Sequence, residues 1–312
     1  MADNVLYIIG NGFDLHHGVK SGYYSFSTWL KHYNPDLYKH LSRACKVEFL
    51  WSEFERALGY LSRREFLEQG EVLLPTNWDP DNDQMADLFM AEDIARNSGA
   101  DFWEEVQLYF RKWVSLIKWY HRYDEQKIML DTEARFITFN YTQFLETQYG
   151  ISHEQILYIH GSSISKKYPP ILGHDGSDHF EEDFKKLPKR LKSYYQGKRS
   201  YLPEVEMLTE SAETFVSESE KPVKQIINQH KDFFEDLYDI EYVYILGHSM
   251  ANVDLPYFKK VVECNDYPEK MHWLVSYYNE KDRDNFLQRV HRISYSGSTV
   301  EPIKLQNFLL KH

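Results

Sequence analysis

Val5-Leu6-Tyr7-Ile8-Ile9-Gly10-Asn11-Gly12-Phe13-Asp14-Leu15-His16-His17-Gly18 decides how the chain is read. The apolar run Val5–Ile9 is too short for a helix and is closed by glycines, which predicts a strand buried on both faces, as in a parallel sheet. Gly10 and Gly12 permit a tight turn and a close backbone approach to a ligand. A helix opening behind them would present its N-terminus to an anion, so a phosphate is expected here. The spacing is not Gly-x-Gly-x-x-Gly, and a strand-to-helix turn without a ligand is the alternative. Asp14 would repel a phosphate at close range; it is expected to cap the helix or to hold a ribose hydroxyl.

The 312 residues suffice for one large α/β domain with insertions, and 42% hydrophobic content provides for its core. No apolar run is long enough to span a bilayer and no basic segment precedes one near residue 1, so a cytoplasmic protein without leader or membrane span is expected. A net charge of −12 argues against a general nucleic-acid surface. Two cysteines, Cys45 and Cys264, exclude a disulfide framework and a Cys-rich zinc site; each is expected to serve as a small buried apolar residue. His16, His17 and His174 are read as structural or surface residues in preference to metal ligands, and no metal is expected.

Further along, Phe26, Trp29 and Leu30 recur at helical spacing. So do Phe49, Leu50, Phe54, Leu58 and Leu61, and again Phe102, Val106, Phe110, Trp113, Val114 and Ile117. They predict a helical insertion over about 27–130, interrupted by a turn-rich loop at Leu74–Asp83 that is either a plain connection or a lid. Strands follow at Ala134–Phe139, Ile156–Ile159, Glu241–Leu246 and Met271–Tyr277, the last leading into a charged helix from Glu280 to Val290. A second, charged helical insertion covers about 176–236. Its basic stretch from Lys185 to Lys192 and its acidic stretch from Glu204 to Glu220 read as solvated helix faces with a mobile connection. The fold expected is α/β: a Rossmann-like, mostly parallel sheet in a single domain over 1–312, with a large helical insertion after the first strand and a second charged helical insertion.

Four of the strands end in Gly-Asn-Gly, Asn140-Tyr141, His160-Gly161 and Gly247-His248-Ser249, and ligands bind at the carboxyl ends of strands in open α/β sheets. The first loop has neither the lysine nor the Ser/Thr of a phosphoryl-transfer loop. Cleavage of an N-glycosidic bond to nicotinamide suits these residues better, because the leaving group is already cationic and the enzyme needs chiefly to position a ribose and a water. His160 would accept a proton, and Asn140 would hold the water or a ribose hydroxyl. Gly247-His248-Ser249-Met250-Ala251 also resembles a nucleophile elbow, with Asp254 or Asp282 and His291 as triad partners, but that reading leaves Asn140, His160 and the first loop without a role. Asp254, before Pro256-Tyr257-Phe258, reads most simply as a helix N-cap, with a ribose contact as the alternative.

Taken in order, Ile9-Gly10-Asn11-Gly12-Phe13-Asp14-Leu15, Trp51-x-x-Phe54-Glu55, Phe139-Asn140-Tyr141-Thr142, Ile159-His160-Gly161, Leu172-Gly173-His174 and Leu246-Gly247-His248-Ser249 with Asp254 resemble the AbiH family of phage abortive-infection proteins over essentially the whole chain. That pattern is similar, at greater distance, to the sirtuin-like NAD-binding domain. The resemblance implies a pyrophosphate loop at Gly10 and Gly12; Asn11, Phe13, Asp14 and Ser21 are expected to contact the cofactor beside them, although the acidic Asp14 is absent from the usual sirtuin loop. It implies Asn140 and His160 as catalytic residues, Tyr141 and Gly161 as cofactor contacts next to them, and Gly247, His248, Ser249 and Asp254 on the adenosine side. Two cysteines cannot make the zinc ribbon of sirtuin deacylases, so the implied activity is NAD hydrolysis in phage defence, with NAD as substrate or ligand. The alternative is a nucleotide-sensing module that controls a partner through its helical insertion. A homo-oligomer or a phage-sensing partner is expected in either case.

Overall fold

The computed structural model describes residues 4–45, 47–60, 85–118, 127–176 and 203–308. The loop Leu74–Asp83, the basic run Lys185–Lys192 and Leu61 lie outside them. The chain folds as two compact units, one formed by residues 1–25, 111–171 and 222–312, the other by 26–110 and 172–221. The segments expected as helical insertions, about 27–130 and about 176–236, overlap the two stretches of the second unit, 26–110 and 172–221.

The first unit is built on a six-stranded sheet in the order β3-β2-β1-β4-β5-β6. Its strands are β1 (Val5–Ile9), β2 (Arg135–Thr138), β3 (Ile156–Tyr158), β4 (Tyr242–Leu246), β5 (His272–Tyr277) and β6 (Thr299–Lys304), and every pairing is parallel. This is the Rossmann order, which reverses direction between β1 and β4. Period-2 alternation sends neighbours in β1 to opposite faces. Leu6 and Ile8 join Ile137, Leu157, Val243, Ile245 and Trp273 in one core, while Tyr7 and Ile9 join Phe13, Phe136, Phe144 and Leu246 in the other. Both faces are therefore covered, which explains the unbroken apolar runs.

β6 is absent from the sequence reading. It is an edge strand whose side chains are mostly outside the core, and it contains Pro302, so it shows neither an apolar run nor a strict alternation. Among the described residues no helix is long and apolar enough to cross a membrane.

The second unit is helical. Helices Tyr23–Tyr33, Pro35–Ala44 and Met85–Ser115 bear out the insertion, but Phe49 and Leu50 precede the short helix Phe54–Leu58 in a turn and do not extend it. Phe102 meets Phe215 of helix Pro203–Glu218 at a tilt and Trp103 meets it edge-on, with ring centroids 5.1 and 5.7 Å apart. Two amphipathic segments distant in sequence bury their apolar faces on each other, which is why they form one body. Glu55 of the Trp51-x-x-Phe54-Glu55 motif receives the fully buried ammonium of Lys221 at 2.8 Å. His174 is buried and tied to Val216 O at 2.9 Å and to the Gly176 N–H at 3.0 Å, a structural role. Cys45 is buried as expected, and burial pushes its thiol up to about 12.

Candidate functional site

The carboxyl ends of β1 and β4 meet at the point where the strand order reverses, and their loops touch through glycine. Gly10 donates to Leu246 O, Gly12 to Gly247 O and Phe13 to Gly10 O at 2.8–3.0 Å. A Cβ on Gly10 would lie 2.5 Å from His248 Cα, and one on Gly12 2.8 Å from Gly247 O. Gly247 itself has φ 65°, the left-handed region that favours glycine. The glycines read as a phosphate cradle thus serve the close packing of two loops, and three of the four amides from Gly10 to Phe13 are spent inside the chain. The Phe13 ring packs in the core against Phe144 and Tyr149. Asn11 opens helix Asn11–His16, and its Oδ1 accepts from Ser21 Oγ at 2.5 Å.

Asp14 corrects an expectation. It sits inside that helix, 1% exposed, and does not cap it. One oxygen accepts from Asn140 Nδ2 at 2.7 Å and the other lies 2.6 Å from Thr142 Oγ1. The second Asn140 Nδ2 proton goes to Gly10 O at 3.1 Å, and the Asn140 backbone N–H goes to Thr138 Oγ1 at 3.1 Å. Gly10 O can only accept, so the amide cannot flip. The consequence is that Asn140 Oδ1, buried, takes no hydrogen bond from any described residue. An unsatisfied buried acceptor costs about 1–3 kcal/mol, and a hydroxyl, a water or another donor would remove that cost. Burial raises the Asp14 carboxyl to about 7 against the lowering contributions of Thr142 and Asn140.

His160, 3% exposed, follows β3, and His248, 5% exposed, follows β4. Between them stands Asp254, with Oδ1 3.4 Å from His160 Nε2 and Oδ2 3.5 Å from His248 Nε2. Asp254 occupies the N-cap position of helix Leu255–Cys264 but makes no side-chain cap bond, so the capping expectation is corrected: its carboxylate faces the two imidazoles. The Met250 N–H donates to His248 Nδ1 at 2.8 Å. A bare Nδ1 in neutral imidazole places the proton on Nε2, the nitrogen that lies 3.5 Å from Asp254 Oδ2. Met250 has φ 51°, the one positive value among the described non-glycine residues, and Arg289 Nη1 holds the Ser249 and Met250 carbonyls at 2.8 Å each. Backbone strain is therefore maintained in the loop that presents His248 and Asp254.

The remaining predicted residues fall around this centre. The Tyr141 ring lies 6.3 Å from His160 and its hydroxyl donates to Ile171 O at 3.1 Å, while Gly161 turns the chain after His160 at φ 76°. Gly247 N–H donates to Ser276 Oγ at 2.8 Å, and Ser249 is exposed. The elbow reading loses one of its two candidate acids, because the Asp254 carboxylate lies against His160 and His248. His17 is structural: Nδ1 donates to Phe13 O and Nε2 accepts from Tyr149 O–H, both at 2.7 Å, and burial lowers it to about 4. Sequence reasoning missed Thr142, Ser276 and Arg289 as supports of the site. Thr142 had a signal, since its i, i+2 spacing from Asn140 puts both on one side of an extended segment.

A family model described as Bacteriophage abortive infection AbiH matches residues 6–277. No curated protein matches the chain.

Proposed function

Because the chain belongs to the AbiH family of bacteriophage abortive-infection proteins, we propose that its part in phage defence is to bind NAD at the carboxyl ends of β1 to β4 and to hydrolyse it to nicotinamide and ADP-ribose. The observation that carries this reading is Asn140: a buried amide, locked by Asp14 and Gly10, whose acceptor oxygen has no partner among the described residues. Such an atom recognises a hydrogen-bond donor and rejects a phosphate oxygen. A ribose hydroxyl or the attacking water fits it, and the strand order places it beside the crossover where dinucleotides bind in Rossmann sheets.

In the reaction a water oxygen bonds to C1′ of the nicotinamide ribose as the C1′–N bond breaks. The bonding pair goes to the pyridinium nitrogen, and nicotinamide leaves neutral. The water's proton passes to His160, which holds it until release. The chain's contribution is to orient the ribose and the water at Asn140, His160, His248 and Asp254, each of which is under a tenth exposed.

One observation favours a second reading, the sensor that acts on a partner through its helical unit: the Gly10, Gly12 and Phe13 amides are already hydrogen-bonded within the chain. Purified protein incubated with NAD, with and without extract of phage-infected cells, separates the two. Release of nicotinamide and ADP-ribose in equal amounts is expected; NAD bound and recovered intact in both conditions would favour the sensor.

A further inference from the structure

Both histidines at the strand ends converge on one carboxylate, and one of them has its tautomer pinned by the backbone. Met250 N–H occupies His248 Nδ1, so the proton of neutral His248 sits on Nε2, 3.5 Å from Asp254 Oδ2. The other oxygen, Oδ1, lies 3.4 Å from His160 Nε2 and accepts no hydrogen bond from any described residue. A carboxylate can only accept; a proton on the His160 nitrogen nearest to it would leave the lone pair of the neutral ring on Nδ1. The Phe139 ring meets both imidazoles edge-on, at 5.2 Å from His160 and 4.2 Å from His248, and fixes their planes.

We propose that Asp254 is a positioning residue which, anchored by His248, holds His160 in its Nε2–H tautomer and so makes Nδ1 the nitrogen that receives the proton. This rests on the reading of His160 as the base in NAD hydrolysis. It gives Asp254 and His248 a role distinct from nucleotide contact. It also explains why a residue at a helix N-cap forgoes capping, a bond that helices of this kind ordinarily use for about 1 kcal/mol.

Asp254→Asn tests it through a difference no simple packing role would produce. An asparagine has one accepting and one donating end. His248 stays pinned as an Nε2–H donor and claims the Asn oxygen, so the Asn NH₂ must face His160 Nε2 and drive that ring to Nδ1–H. Two-bond ¹⁵N–¹H correlation spectra of histidine-labelled protein at about pH 8, where neutral imidazole dominates, read both tautomers without any substrate. The wild type is expected to show Nε2–H at His160 and at His248. The variant is expected to show Nδ1–H at His160 alone, with NAD hydrolysis down about 10²–10⁴-fold and NAD binding retained. Nδ1–H at His160 in the wild type, an unchanged tautomer in a folded variant, or a switched tautomer with undiminished hydrolysis would each overturn the proposal. The wild-type spectrum decides the arrangement even if the variant does not fold. It also decides it if wild-type protein leaves NAD intact, an outcome that would count against the hydrolase reading alone.

Discussion

His160→Ala is expected to lower NAD hydrolysis by about 10²–10⁴-fold, the usual loss on removing a positioned general base, with nucleotide affinity and melting temperature close to wild type. Asn140→Ala should match it in turnover. Removing His160 breaks no hydrogen bond to Asp254 and leaves His248 Nε2 3.5 Å from its Oδ2. Removing Asn140 is less benign, because Asp14 loses a donor at 2.7 Å and a modest fall in stability should accompany it. The two can be told apart by following nicotinamide release and thermal unfolding on the same samples. A loss of only a few fold, or activity that falls in step with the folded fraction, would assign these residues to structure and favour the sensor.

The second large effect concerns Asp14 and pH. Burial raises its folded-state value to about 7, above the ordinary 3.8 that it regains on unfolding. The folded chain therefore holds the proton more tightly. The stabilisation from this group is complete below about pH 4, declines as pH rises through 7, and is gone above it. A difference of about three pH units corresponds to about 4 kcal/mol at 1.36 kcal/mol per unit. Asp14→Asn keeps an acceptor for Asn140 and a polar partner for Thr142 but does not titrate. Its stability relative to wild type should therefore climb by about that amount between pH 4 and pH 8. His17, lowered by burial to about 4, has the opposite sign: its contribution is complete above about 6.5 and fades as pH falls through 4. That term is common to both proteins and cancels in the difference. Urea unfolding at four or five pH values measures the climb; a flat difference would show that Asp14 is ionised throughout without penalty.

How much of this could be read in advance follows from the distance over which each residue acts. Strands β1 to β5 announced themselves because a strand covered on both faces must be apolar throughout, a property of each segment alone. The polar strand ends were equally local, and so Asn140 and His160 could be singled out. What Asp14 and Asp254 do could not, since their partners lie far away: Asn140 is 126 residues beyond Asp14. Which loops meet depends on the strand order, and β1 lying between β2 and β4 is a property of the whole sheet. A carboxylate near a helix start looks like a cap in sequence. In the fold a buried amide or a pair of imidazoles outbids the helix for it. Gly10 and Gly12 show the same limit: a glycine that admits a ligand and a glycine that admits the Gly247–His248 backbone are written with one letter.

The central claim is that NAD occupies the strand ends around Asn140, and calorimetric titration of NAD into the purified full chain tests it most directly. One site per chain is expected, with affinity reduced by tenfold or more in Asn140→Leu, about the 1–3 kcal/mol that follows from leaving a ligand hydroxyl without its acceptor. The variant's folding is checked by circular dichroism. No NAD binding to the wild type, or equal affinity in a folded Asn140→Leu chain, would contradict the account.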